Sequence, residues 1–143
     1  MTLFEFIKAM EAIAEAQPAI NQVVPGDVYL LNGDKQAEYG VFAWQHRQHQ
    51  EEIEGDYRLY SFQLFYIDRE TQDGGNILQA QSMGFDVLSN IIRTIVQELG
   101  VSIYSTPLYQ PFEQRFKDEC AGIYATVTFI VPNETICPEE YIC

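Results

Sequence analysis

From Tyr57 to Ile67 the chain holds strand period with apolar residues on both faces: Tyr57, Leu59, Phe65 and Ile67 alternate with Tyr60, Phe62, Leu64 and Tyr66. Large side chains left in water on either face would forfeit about 2 kcal/mol of burial each. Such a strand therefore belongs at the centre of a sheet that is covered on both sides. One cover is expected to be a core helix, the other a partner subunit.

Residues 77–99 supply the helix. Phe85, Leu88, Ile92, Ile95 and Leu99 keep a three-four spacing, with Leu78, Ile91 and Val96 in support. Asn76 stands where an N-cap belongs and Gly100 where a C-cap glycine belongs. At about 1.5 Å per residue this helix spans roughly 35 Å, enough to cross a sheet. A second amphipathic helix is predicted over 2–17, with Leu3, Phe6, Ile7, Met10, Ile13 and Ala14 on one side. Thr2 with Glu5 forms a capping-box pattern, and Pro18 closes the helix.

Strands are predicted at 28–31, 39–46, 57–67 and 123–131, with one more within 101–116, where 101–104 can begin it and 108–116 carries Phe112 and Phe116; Pro132 ends the last. The polar stretches 47–56, 68–75 and 117–122 read as loops or turns. The fold expected is α+β, in the order α-β-β-β-α-β-β. Its sheet is mainly antiparallel, of roughly four to five strands, with both helices on one face. Residues 1–131 form one domain, and 132–143 form an extended C-terminal arm that reaches about 40 Å.

Charge narrows the function. Asp and Glu number 21 against 8 Lys and Arg in 143 residues, a formal −13, and the basic residues are scattered singly. Such a surface repels phosphate backbones and anionic lipids, so neither nucleic-acid binding nor a membrane partner is expected. The N-terminus lacks the basic region and unbroken apolar core of a signal peptide, which implies synthesis and residence in a cytoplasm. Cys120, Cys137 and Cys143 are odd in number and form no Cys-x-x-Cys pair, against a disulfide framework.

The chemistry-bearing residues are few. His46-x-x-His49, beside Glu51 and Glu52, has metal-compatible spacing but enters a stretch read as polar loop. Cys137 and Cys143 lack further ligands, and Cys120 in its turn lacks an evident base. The acidic pairs Glu51-Glu52, Asp118-Glu119 and Glu139-Glu140 fall in loops or tail, where both groups are solvated. The Asp73–Asn76 turn lacks the lysine and glycine spacing of a phosphate or dinucleotide site. No enzyme, cofactor or metal is expected. The rival readings are a small-molecule binding module, with its pocket between the long helix and the sheet, and an enzyme that uses His46 or His49.

Three stretches carry a resemblance. FQLFYIDRE leads through a Gly/Asn loop into ILQAQSMGFDVLSNIIRTIVQEL, followed by PFEQRFKDECAGIYATVTFIVPN and a Cys/Pro/acidic tail. Over about residues 26–140 this pattern resembles the tail-terminator and head–tail joining proteins of tailed bacteriophages, including those of Bacteroides-infecting and crAss-like phages. The resemblance implies a virion structural protein, assembled as a homo-oligomeric ring around the DNA channel at the neck or tail. It implies contacts with other neck or tail proteins, and no catalytic residues. Sheet edges and loops would make those contacts: Arg47, Glu51, Glu52 and Ile53 before the central strand, and Arg69 after it. Ile136, Tyr141 and Ile142 would join them by laying the arm on a neighbour.

Overall fold

A computed structural model of the chain describes residues 1–25, 40–69, 75–113 and 120–133. Helix α1 (Leu3–Glu15) begins where Thr2 accepts a 3.1 Å bond from the Glu5 backbone N–H. Strands β1 (Gln22–Pro25), β2 (Val41–Glu52) and β3 (Tyr57–Arg69) follow, then helix α2 (Ile77–Leu99). Strands β4 (Ser102–Ile103), β5 (Leu108–Glu113) and β6 (Cys120–Pro132) complete the order. The sheet runs β1-β2-β3-β6, with β4 and β5 both on the outer side of β6. All its pairings are antiparallel except β1 with β2. The α+β class and the mainly antiparallel sheet match the sequence reading. The six-stranded count and the short parallel β1 exceed it. The strand expected at 28–31 lies outside the described residues.

Two stretches read as loop are strand. Residues 47–52 continue β2, because past the bulge at Arg47 they stay in register with β3: Gln48 faces Ser61, His49 faces Tyr60, and Glu52 faces Tyr57. Cys120, expected in a turn, instead opens β6 opposite Arg69 and is buried.

Strand β3 is indeed central, between β2 and β6 along its length. Its helix-side residues Tyr60, Phe62, Leu64 and Tyr66 join Ile123, Ala125, Val127 and Phe129 of β6 beneath the helices. Phe6 of α1 packs 5.6 Å from the rings of Tyr60 and Phe62 and 5.1 Å from Phe129. On the other face the covering is partial. Phe65 and Ile67 are buried with Val41, Ala43, Phe112 and Cys120, whereas Leu59, Ser61 and Gln63 are only half-buried.

Helix α2 ends on Gly100 in the left-handed region, φ 64°. Its buried face differs from the predicted ladder, being built from Ala80, Gly84, Val87, Leu88, Ile91, Ile92 and Ile95. The small residues let the first half of the helix lie close on the ring of Tyr66. A Cβ at position 84 would stand 2.7 Å from that ring and 2.8 Å from Ile123. Rotation toward Ala80 and Gly84 turns Leu78 and Phe85 outward, 77% and 44% exposed. Phe85 then rests on Tyr109 of β5 at 4.5 Å. Asn76 precedes the helix as expected but makes no side-chain cap; its amide donates to the Arg69 carbonyl at 2.8 Å.

Candidate interaction surface

Of the residues singled out in the sequence, Arg47, Glu51, Glu52 and Ile53, with His46 and His49, gather around the β2–β3 hairpin. Beyond Trp44 no described strand lies on the outer side of β2, and Arg47 to Glu52 are all exposed. A bulge falls between His46 and Gln48, with Arg47 as the extra residue. Glu51 faces Arg58 across the hairpin at 3.5 Å, an exposed pair of small energetic weight.

Residues 53–56 form the hairpin tip. Asp56 sits at φ 58°, a left-handed conformation that a short polar side chain tolerates. Its N–H donates to the Ile53 carbonyl at 3.3 Å. Asn133, just past β6, donates to Asp56 twice at 3.1 Å, once from the backbone and once from the side chain. The tip is thus tied to the end of the neighbouring strand, and Ile53 is held out from it at 79% exposure.

The bulge brings the two imidazoles together. His46 and His49 stack with centroids 5.2 Å apart and planes 13° from parallel, and His46 also lies 5.5 Å from Phe62. The Nε2 of His46 is shut from solvent with no hydrogen-bond partner among the described residues. Burial, and next the neighbouring His49, hold its pKa below the usual imidazole value; a backbone bond with Gln48 opposes them. The pair belongs to strand β2 and not to a loop, with His46 half-buried and His49 exposed. Among the described residues no three His, Cys, Asp or Glu side chains are grouped to hold a metal.

At the far end of β3, Arg69 is exposed and its carbonyl anchors α2 through Asn76. Nearby, Tyr66 donates to Asp68 and to the Met83 sulfur, both at 3.4 Å. Burial, with the Asp68 charge, pushes the Tyr66 phenol up to about 12. Ile136, Tyr141, Ile142, Cys137 and Cys143 lie outside the described residues.

Open depressions mark the helix surfaces. A groove of about 410 Å³ runs between α1 and α2, lined by Ala12, Ile13, Ala16 and Leu99 among others. Another of about 620 Å³ lies along Leu78, Ser82 and Met83. Their polar lining is Gln17, Thr94 and Glu98 in the first and Gln79, Ser82 and Asp86 in the second. Among the described residues no helix is long and apolar enough to cross a membrane. The contacts missed in the sequence are Leu78 and Phe85, whose outward turn follows from the small residues at 80 and 84. No protein-family model and no curated protein matches the chain.

Proposed function

We propose that the chain is a virion structural protein, a subunit of a homo-oligomeric ring in the neck or tail of a tailed bacteriophage, set around the DNA channel and joining neighbouring virion proteins. The observation that supports this reading is a pair of unlike apolar points at opposite ends of the sheet. Ile53 projects from the hairpin tip that precedes Tyr57, while Leu78 projects from the first turn of α2, anchored beside Arg69. The thirteen residues of β3 separate the two ends by about 40 Å. Two points set that far apart, at opposite ends of the sheet, suit a head-to-tail contact better than one compact two-fold contact. They can meet each other head to tail, and a head-to-tail contact closes into a ring when its rotation allows. The −13 charge suits a lumen through which DNA slides without sticking.

Ile53→Asp and Leu78→Asp test the reading. Both residues are exposed, so each variant should keep its fold to within about 0.5 kcal/mol. Each should lose the large assembly that the unaltered chain forms, as measured by sedimentation velocity. Wild-type assembly in either variant would refute the head-to-tail contact.

A further inference from the structure

We infer that the outer edge of β2 pairs with the same edge of a second copy of this chain, antiparallel, about a two-fold axis at His49. The other described edges are poorly suited to this. Strand β1 contains Pro25 and β5 contains Pro111, each lacking an N–H to donate, and β4 has two residues. From Gln45 to Glu52, β2 carries no proline and has no described strand on its outer side.

Charge selects the partner and the register. The edge reads QHRQHQEE, basic toward its start and acidic at its end. Exposed charges commonly guard an edge against pairing. Here their order guards it selectively: a parallel copy sets like charges side by side, and an antiparallel copy sets opposite charges side by side. A two-fold axis perpendicular to the strands must pass between a residue and its own copy. Centred on Gln48, Arg47 would face His49. Centred on Gln50, Arg47 would face Ile53 and find no counter-charge. Centred on Glu51, two glutamates would collide. Only the His49 centre places Arg47 opposite Glu51 of the second copy, and does so twice.

The same register has local support. Gln48 falls opposite Gln50, so their amides can exchange hydrogen bonds. Glu51 already faces Arg58 on the inner side. The pairing would extend this into a row of Arg58, Glu51 and Arg47 of the second copy, crossing from β3 to the other chain. The bulge at Arg47 and the turn at Ile53 keep the contact short, and within it residues 47–51 are the ones that pair about His49. Pairing occupies the edge that is free among the described residues in both copies, so the contact stops at two. It goes beyond the ring reading and does not require it; where both hold, two rings join face to face.

The experiment is charge complementation in the full chain, read by sedimentation. Arg47→Glu alone sets a carboxylate against Glu51 of the second copy, and Glu51→Arg alone sets one guanidinium against another. Each should halve the assembly mass, with at least tenfold weaker association. An equal mixture restores opposite charges at both positions and should recover the full mass. Unchanged mass in Arg47→Glu, or a mixture that stays at half mass, would overturn the proposal. The measurement is repeated with Leu78→Asp, where the head-to-tail contact is removed. There the two-fold pair should persist as a dimer that Arg47→Glu splits. A large assembly surviving Leu78→Asp would count against the ring reading, while the mass halving would still report on the edge.

Discussion

One glycine in the long helix and one on β6 offer a test of how the sheet and helix are held, because the same added methyl meets different neighbours. At Gly122 on β6 a Cβ would stand 1.9 Å from the carbonyl oxygen of Tyr66 on the paired central strand. Normal contact begins near 3.4 Å, so β3 and β6 would have to part by more than 1 Å where both are central. Overpacking of this kind costs about 1–3 kcal/mol, and each ladder hydrogen bond lost adds about 1 kcal/mol. Gly122→Ala should therefore destabilise by about 3 kcal/mol or more. At Gly84 on α2 the methyl meets side chains, Tyr66 at 2.7 Å and Ile123 at 2.8 Å, and these can shift. Alanine in a helix interior also gains about 1 kcal/mol over glycine. Gly84→Ala should cost no more than about 1–2 kcal/mol. Urea unfolding followed by circular dichroism measures both. If Gly122→Ala is as stable as wild type, or less damaging than Gly84→Ala, the packing described between α2, β3 and β6 is wrong.

His46 makes stability depend on pH. Its pKa is lowered in the fold, so the unfolded chain binds the proton more readily. Stability should be full above about pH 6.5 and fall as the pH drops below it toward the folded value, and His46→Gln should flatten that slope in urea midpoints. An unchanged slope in the variant would refute the burial of His46. Removing the Asn133 side chain leaves Asp56 with one fewer donor, so Asn133→Ala should cost about 1 kcal/mol in the same assay. DNA should show no gel shift at physiological salt, whereas a micromolar complex that weakens steeply with salt would contradict the acidic-lumen reading.

The central strand, the two helices and the antiparallel bias were legible because they rest on hydrophobic period. Tyr57–Ile67 and Ile123–Val131 alternate, and both helices carry a ladder. Residues 47–52 were not legible. Their side chains are exposed on both faces, so no alternation survives, and their strand state comes from pairing with β3. Strand β1 is too short for period to register, and its partner is distant in sequence. On α2, Leu88, Ile91, Ile92 and Ile95 were read correctly as buried, but the first half was misjudged because hydrophobicity favours Phe85 and Leu78, while close packing on Tyr66 favours Ala80 and Gly84. Of the site residues, Arg47, Glu51, Glu52 and Ile53 do share one hairpin, for the reason that makes them unreadable as strand. The stacking of His46 on His49 depends on a bulge that spacing alone does not reveal.

The proposed role stands or falls most directly on the mass of the purified full-length chain, measured by sedimentation velocity at physiological salt with electron micrographs of the same sample. A head-to-tail ring subunit should give one discrete assembly many times 16.4 kDa, with an open centre in the images. A chain that stays monomeric or stops at a dimer across the accessible concentrations would contradict it.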